Sequence, residues 1–362
     1  MPVAHAAARF GVSRKTAHKW LKIFDRDPNA TASALVDRSR RPRSSPRRTE
    51  AAIERQALQL RDCHRWGARK IHFVLRRELS SRQTSSIPSI RTLSSILNRN
   101  GRIAPPASTP PLQRFERALP NQLWQIDFKG PVEVDRKKIS PFTVLDDHSR
   151  YLLALKPCID LTMATAWNVL WDVFGQAGLP EQILCDNAFN ARANHRPAGL
   201  SWFDSRLVRL GIHPSHGRPY HPQTQGKVEA LHRSVERELI DFDARKDNPL
   251  HFEQDCDAYR HLYNTQRPHQ AIGDLPPILR WIPSPRARPP QLPPVEYPAG
   301  SVLRRVCQHG RIVFQNYRIL CGQGLGGELV RIQQTDREIA VFFCSRQIRC
   351  LSHDQLKRDI IL

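Results

Sequence analysis

The sequence predicts a multidomain protein with a helical front, an α/β middle and a small all-β end. Its 362 residues are enough for two to four domains rather than one core. The apolar pattern is helical up to about residue 103, mixed from about 119 to 265, and strand-like after 300. Proline-rich segments lie at both changes of pattern, as expected of linkers between domains.

These blocks and linkers give a set of expected boundaries. The first block is short for a three-helix unit, because only Met1 and Pro2 precede its first helical pattern. We expect a partial helix-turn-helix over 1–35, a basic linker over 36–49, a second helix-turn-helix over 50–103, a linker over 104–118, an α/β core over 119–282, a proline-rich linker over 283–299 and a small β-barrel over 300–362.

Positive charge is concentrated at the front of the chain. The formal net charge is +22, and residues 1–118 hold 25 Lys/Arg against 8 Asp/Glu. This asymmetry predicts a polyanion partner, bound mainly through the front. The alternative is a basic chain whose charge serves only solubility.

Other features exclude several classes of protein. No apolar run is long enough to span a bilayer, and the first residues are too short and polar for a signal peptide. The eight cysteines form no C-x-x-C pair, so neither a zinc site nor a disulfide framework is expected. We therefore expect a cytoplasmic protein.

The first block resembles a DNA-recognition helix in its pattern. Gly11 marks a turn, and Ser13 is a candidate N-cap for the helix that follows. Ala17, Leu21 and Phe24 share one face of that helix, and basic residues occupy the other. An ordinary solvated basic helix is the alternative. The predicted DNA contacts are Arg14, Lys15, His18, Lys19 and Lys22 on this helix, and Arg38, Arg40, Arg41 and Arg43 in the basic linker.

The second block has a more complete helical pattern, with its last helix beginning near Ser89 and ending at Asn100-Gly101. This pattern predicts a second DNA-binding helix-turn-helix, with a structural spacer as the alternative. The helices are expected over about 50–61, 68–79 and 88–99. The last one has an inner stripe of Ile90, Leu93, Ile96 and Leu97 and an outer face of Arg91, Thr92, Ser95 and Arg99.

Three carboxylates lie in contexts that suit metal-dependent phosphodiester chemistry. Asp127 lies inside the strand pattern LWQIDFKG, Asp186 ends the apolar run in QILCDNAFN, and Glu229 follows the loop of YHPQTQGKVEALHRSVEREL. Two hard cations held by such carboxylates activate a nucleophile and stabilise the leaving oxygen. A single Asp at a strand end is more often a cap or turn residue; the three contexts in this order are the stronger signal.

These segments resemble the catalytic core of bacterial insertion-sequence transposases related to retroviral integrases, the DDE class. The similarity includes WQIDFKG, TVLDDHSRYLLAL, CDNAFN, HPQTQGKVEALHRS and YNTQRPHQAIGDLPP, over about 120–280. It implies an RNase H-like fold with a five-stranded mixed sheet flanked by helices. It also implies that Asp127, Asp186 and Glu229 are the catalytic residues and hold two Mg²⁺ or Mn²⁺ ions.

The resemblance also implies what the protein does. It implies a transposase that binds the terminal inverted repeats of its element and joins them to target DNA, as a homodimer or higher oligomer on DNA. It also implies a protein associated with the bacterial nucleoid. Two departures affect the flanks of the motifs: Ala188 replaces the usual Gly after Asp-Asn, and Glu236 stands where many members carry a basic residue. A decayed transposase that only binds DNA and a metal-dependent nuclease that does not integrate are the alternatives.

Several further residues carry expectations. Lys227 and Arg233 are predicted to contact DNA, with simple solvent exposure as the alternative for Lys227. His216 is expected to be exposed or to contact DNA rather than a metal. A structural role is expected for Arg267 and His269, and a core position for Trp124, Trp167 and Trp171. Asp146 and Asp147 are candidates either for support of the metal site or for a structural role.

Overall fold

The computed structural model describes residues 2–26, 48–78, 87–103, 116–185, 199–216, 226–242, 244–352 and 355. It divides into two compact units, residues 1–50 and residues 51–362. Among the described residues, no helix combines the length and apolar character needed to cross a membrane. The predicted site residues that lie outside the described ranges are Asp186, Arg38, Arg40, Arg41 and Arg43.

The first unit contains helices α1 (Val3–Arg9) and α2 (Arg14–Arg26). The predicted turn and cap are confirmed: Gly11 has a φ of +64°, and the Ser13 hydroxyl accepts a hydrogen bond from the Thr16 amide at 3.1 Å. The expected apolar stripe is not covered, because Leu21 and Phe24 are 42% and 47% exposed. The seven-residue α1 is mostly alanine and offers little apolar surface against which they could pack.

The predicted basic residues of α2 are all exposed to solvent. They are Arg14, Lys15, His18, Lys19 and Lys22. A DNA-binding helix-turn-helix in this unit stays a prediction.

The second unit begins with three helices, α3 (Ala51–His64), α4 (Ala68–Glu78) and α5 (Ile90–Arg99). The Ser89 side chain caps α5 by accepting a hydrogen bond from the Thr92 amide, and α5 ends at Asn100 as predicted. One expectation for its inner stripe is wrong, because Ile90 is 38% exposed at the first turn. The helices share a core formed by Ile53, Ala57, Trp66, Ala68, Ile71, Val74, Leu75, Leu93, Ile96 and Leu97.

The outer face of α5 is only partly available for DNA. Arg91, Thr92 and Ser95 are exposed, as expected. Arg99 forms an ion pair with Glu54 of α3 at 2.5 Å and therefore contributes to packing within the helical block.

A mixed β-sheet follows, in the strand order β4-β3-β1-β5-β6. Strand β1 pairs antiparallel with β3 and parallel with β5, which pairs parallel with β6. The predicted five-stranded mixed sheet is confirmed, and a short additional strand, β2, pairs with the start of β3. The strands are β1 (Trp124–Phe128), β2 (Val132–Val134), β3 (Lys137–Asp146), β4 (Leu152–Cys158), β5 (Gln182–Cys185) and β6 (His213–His216).

Helices cover both faces of this sheet. Helices α6 (Met163–Ala177) and α7 (Trp202–Arg209) pack on one face, around a core that includes Trp124 and Trp167, with Trp171 packed against it. The other face is covered by α8 (Gly226–Val235), a π-helical turn (Glu236–Ile240) and α9 (Pro249–Thr265). The three tryptophans thus have the core positions that the sequence predicts.

The carboxyl-terminal part consists of two antiparallel sheets with a common core, to which Leu200 and Val208 also contribute. The segment 283–299, predicted as a linker, binds along the core: Arg286 donates hydrogen bonds to the carbonyls of Pro180 and Leu210. Strands are present as predicted; a closed barrel stays a prediction. The strands are β7 (Val302–Arg305), β8 (Arg311–Phe314), β9 (Tyr317–Leu320), β10 (Leu329–Gln334), β11 (Glu338–Phe343) and β12 (Arg346–Ser352).

The helical block is anchored to the sheet domain through a buried carboxylate, Glu238. Arg267 donates hydrogen bonds to both of its oxygens, at 2.7 and 2.9 Å, and Lys70 of α4 lies 2.9 Å from one of them. Burial alone would raise the pKa of Glu238, but the hydrogen bonds and charges of Arg267 and Lys70 lower it to about 2. Arg69 adds a second tie by a bidentate pair with the buried Asp274. The structural role expected of Arg267 is therefore to hold this carboxylate.

We predict that Glu238→Gln lowers the free energy of unfolding by about 3–5 kcal/mol, because Arg267 and Lys70 would stay buried without their countercharge. Chemical denaturation followed by tryptophan fluorescence measures the change. The matched control is Glu253→Gln, which removes the partner of half-exposed Lys156 and is expected to cost below about 1 kcal/mol. Equal losses in the two variants would contradict the anchoring role of Glu238.

Candidate active site

The candidate site begins with Asp127 on the central strand β1. Trp124 and Ile126 point into the core beneath α6, so the alternation of a strand places Gln125 and Asp127 on the opposite face. This is the face covered by α8. The Asp127 side chain is 26% exposed, which leaves its carboxylate accessible to a ligand.

Thr143 and His232 hold Asp127 from two sides. Thr143 lies opposite Asp127 in the register of β1 and β3, and its hydroxyl donates a hydrogen bond to the Asp127 carbonyl at 2.9 Å. The same oxygen lies 2.9 Å from Nε2 of His232 on α8. Because the hydroxyl proton is used for the carbonyl, Nε2 of His232 is the donor in this second hydrogen bond. These two hydrogen bonds therefore link His232 of α8, through Thr143, to the backbone of β1.

The second nitrogen of His232 faces the Asp127 carboxylate. Burial, reinforced by the positive charge of Lys129, lowers the pKa of His232 to about 4, so the ring is neutral near pH 7. Its Nδ1 then carries a lone pair and lies 3.8 Å from Oδ2 of Asp127. Two acceptors face each other there, and a cation or a water molecule between them would satisfy both.

Glu229 lies on the same helix as His232, three residues earlier. Residues three apart share a helix face, with a rise of about 4.5 Å between them. The Glu229 side chain is exposed, in the first turn of α8. The helix that carries Glu229 is thus the helix whose His232 lies beside Asp127. Asp186 directly follows β5, the parallel neighbour of β1, and lies outside the described residues.

Lys129 and Glu236 form an ion pair beside this group. Lys129 directly follows β1, two residues after Asp127, and is only 10% exposed, whereas the Glu236 side chain is 44% exposed on the π-helical turn. The acidic residue that departs from the transposase pattern is thus paired with a lysine from the end of the neighbouring strand.

Lys227, a predicted DNA contact, forms an ion pair with the buried Asp147. Asp147 also accepts hydrogen bonds from the Gln125 side chain at 2.7 Å and the Arg117 amide at 2.8 Å. Burial and the charge of Arg150 lower the pKa of Lys227, while Asp147 opposes this effect. Lys227 is therefore ion-paired rather than simply solvent-exposed, and its contact with DNA stays a prediction. It ties the start of α8 to β1 and to the turn after β3.

Asp146 and His269 both have structural roles. Asp146 accepts hydrogen bonds from the Asn121 amide and from the amide and hydroxyl of Ser149, which fixes the turn after β3. His269 caps the 3₁₀ turn Gln270–Ile272 by accepting a hydrogen bond from the Ala271 amide.

His216 differs from its expected exposure, because Nε2 lies 3.0 Å from an Asp204 oxygen and Nδ1 lies 3.3 Å from the Cys185 sulfur. Arg233 is exposed on α8, as a DNA contact requires.

Comparison with known protein families shows what this core is similar to. Residues 117–222 match the model of one integrase core domain family, and residues 210–277 match the model of a second. These matches confirm the predicted resemblance of the middle of the chain to insertion-sequence transposases with an integrase-like centre.

Two curated relatives are similar in sequence. The Gag-Pro-Pol polyprotein of sheep pulmonary adenomatosis virus is 27% identical over 144 residues, which are 39% of this chain and 8% of the polyprotein. An uncharacterized 39.2 kDa protein of insertion element IS476 from Xanthomonas euvesicatoria is 24% identical over 229 residues, which are 62% of this chain and 63% of that protein. The chain thus spans less than two thirds of the length of either relative.

Solved structures with a likeness to this chain include integrases. A simian T-cell lymphotropic virus intasome in complex with PP2A regulatory subunit B56 gamma has 15% identity and a TM-score of 0.40, covering 82% of this chain and 99% of that chain. The HTLV-2 integrase catalytic core in complex with magnesium has 15% identity and a TM-score of 0.34, covering 45% and 99%. The BIV integrase core has 19% identity and a TM-score of 0.33, covering 44% and 92%.

We predict that Thr143→Val lowers the free energy of unfolding by about 1–3 kcal/mol, because it removes the hydroxyl between the Asp127 carbonyl and His232 at nearly constant volume. Thr143→Ser keeps the hydroxyl and serves as the matched control, with an expected loss below about 1 kcal/mol. Denaturant unfolding compares them. A valine variant as stable as the serine variant would show that this hydroxyl contributes nothing to the site.

Proposed function

We propose that this protein is a DNA transposase that binds the ends of its element, cleaves the strands there and transfers them to target DNA. Asp127, Asp186 and Glu229 are the proposed catalytic residues. The observation that supports this proposal most lies within the segment similar to integrase cores: Asp127 of β1 lies 3.8 Å from His232 of α8, and Glu229 precedes His232 by three residues on that helix. Element ends and target DNA are the proposed partners, bound by a homodimer or higher oligomer.

The residues present fit a site for Mg²⁺ or Mn²⁺. Asp127 and Glu229 offer hard carboxylate oxygens, and both side chains are open enough for a cation to keep part of its water shell. Among the described residues alone, no group of three His, Cys, Asp or Glu side chains forms a metal site. The third proposed ligand, Asp186, belongs to a segment outside those residues. Two bound ions would activate the attacking oxygen and stabilise the leaving one.

The other residues of the site prepare it for this chemistry. Thr143 and His232 hold the backbone of Asp127 between β3 and α8, so that the strand segment that carries its carboxylate is in place before DNA binds. Lys129 keeps a positive charge beside Asp127 and, paired with Glu236, is held in place. Lys227 and Asp147 join the start of α8 to the end of β3, which fixes the direction in which Glu229 projects.

DNA binding is proposed for the exposed basic residues that face solvent on α2, α5 and α8. They supply the phosphate contacts that position a duplex without reading its sequence. These residues are Arg14, Lys15, His18, Lys19, Lys22, Arg91 and Arg233.

Substitution of the three proposed catalytic carboxylates tests this function. Asp127→Asn, Asp186→Asn and Glu229→Gln are each expected to reduce strand cleavage and joining by at least about 100-fold, while DNA affinity stays within about threefold, because the variants remove metal-holding charge and leave the phosphate contacts. A labelled duplex carrying the sequence that flanks the gene, incubated with purified protein and Mg²⁺, reports cleavage and joining on a denaturing gel.

Glu181→Gln is the matched control, because Glu181 is an exposed carboxylate just before β5 and Asp186 follows the other end of that strand. It should leave both reactions unchanged. Near-normal joining by any of the three site variants would refute the triad. Binding without cleavage or joining by the unaltered protein would instead favour a decayed transposase that acts only as a DNA-binding protein, and cleavage without joining would favour a nuclease.

Removal of the metal ion tests whether the reaction requires it. Chelation with EDTA should abolish cleavage and joining, and addition of Mg²⁺ or Mn²⁺ should restore them, because the carboxylates alone supply no positive charge to the leaving oxygen. DNA affinity, measured in parallel by fluorescence anisotropy, should persist in EDTA. Cleavage that is insensitive to the chelator would show that the carboxylates act without a metal ion.

A further inference from the structure

A second basic region lies away from the candidate active site, where the helical block meets the end of the π-helical turn. It is a cleft of about 550 Å³, open to solvent on one side. Among the residues that the structure describes, its lining combines guanidinium groups, one aromatic ring and a single carboxylate. The lining residues are Arg61, Asp62, Arg65, Gly101, Arg102, Ile103 and Phe242.

The cleft has more positive charge than its own carboxylates neutralise. Arg102 pairs with Asp62 in a bidentate contact, at 3.2 and 3.1 Å, so the single charge of Asp62 is shared among Arg102, Arg61 and Arg65. Arg237 lies close enough to lower the pKa of Arg61, after burial and the charge of Arg65. The acid nearest to Arg237 is Glu238, which Arg267 and Lys70 already share.

Arg61 and Arg65 make different contacts within the cleft. Arg61 donates hydrogen bonds to the carbonyls of Arg65 and Arg102, at 2.6 and 2.7 Å, and so joins the end of α3 to the segment after α5. Arg65 is exposed, and its guanidinium stacks on the Phe242 ring at 4.5 Å. Its backbone has a φ of +56°, an unusual conformation for arginine that directs it over the aromatic ring.

The cleft lies along the helix that carries Glu229. Phe242 follows Glu229 by 13 residues, so the two are separated by roughly 20 Å along the helix direction. That distance equals about six base pairs of duplex DNA, since each base pair adds about 3.4 Å. A duplex that enters the candidate active site has the length to reach the cleft.

We propose that this cleft binds the phosphate backbone of duplex DNA about half a helical turn away from the reacting bond. The inference rests on the proposed function, because it assigns a further contact to the same DNA substrate. Arg65 contacts a phosphate while Phe242 supports its guanidinium, and Arg61 holds the cleft in shape and adds charge. Asp62 opposes the bound anion and limits the affinity.

The test uses the full chain and a fluorescent duplex of about 30 base pairs, titrated by anisotropy in EDTA over a series of salt concentrations. Arg65→Asn removes the charge and keeps a residue that tolerates positive φ. It should weaken binding about 5- to 10-fold and reduce the slope of log affinity against log salt by about one. Asp62→Asn should strengthen binding severalfold, because it removes a carboxylate that lines the cleft and repels the anion.

Arg77→Gln is the matched control, since Arg77 is an exposed arginine of the same helical block that does not line the cleft. It should change the affinity less than twofold. Equal losses in Arg65→Asn and Arg77→Gln would overturn the proposal and leave only general electrostatic attraction. Weaker binding by Asp62→Asn would also overturn it, and this variant tests the cleft even where Arg65→Asn folds poorly.

The affinity measurements separate this proposal from the proposed function, because EDTA removes any requirement for cleavage. If the DNA affinities of the variants follow the expected order but no strand transfer is detected, the cleft is supported and the active transposase is rejected. Strand transfer with unaltered affinity in Arg65→Asn would reject the cleft alone.

Discussion

The structure of the second unit depends on one buried charge, the carboxylate of Glu238. It is 7% exposed and has cations from two directions, Arg267 from the segment after α9 and Lys70 from α4. A buried carboxylate without partners would be costly, so the three elements are stable only together. The π-helical turn that presents Glu238 continues directly from α8, which carries Glu229. The position of the helical block is thereby coupled to the helix of the candidate active site.

Much of the fold follows from local rules that a sequence displays. The apolar pattern of WQIDF predicts a buried strand, and Ser89 and Asn100-Gly101 predict both ends of α5, since a cap depends only on nearby residues. The exposure of Leu21 and Phe24 could not be predicted in this way. Whether an apolar face is covered depends on how much surface its partner offers, and α1 offers one buried alanine. Likewise, the hydrogen bonds of Arg286 that hold residues 283–299 along the core depend on contacts between distant parts of the chain.

The candidate site shows the same division. Asp127 and Glu229 are recognisable because their flanking motifs are continuous in sequence. Thr143, His232 and Lys129 are not, since their roles arise from the register of β1 with β3 and from the face that α8 turns toward the sheet. A basic residue such as Lys227 gives no sign in the sequence that a buried Asp147, 80 positions away, is its partner. Pairing across such distances requires the three-dimensional structure.

The π-helical turn changes the direction in which the side chains beyond it project from the helix. The amide of Asp241 bonds to the carbonyl of Glu236 at 2.8 Å, a span of five residues instead of four. Relative to a regular α-helix, the turn accommodates one extra residue, which changes the angular phase of everything after it by about 100°. His232, before the turn, faces Asp127, and Glu238, within the turn, faces Arg267. Side chains beyond the turn therefore project from the helix axis at angles that differ from those of an uninterrupted α-helix.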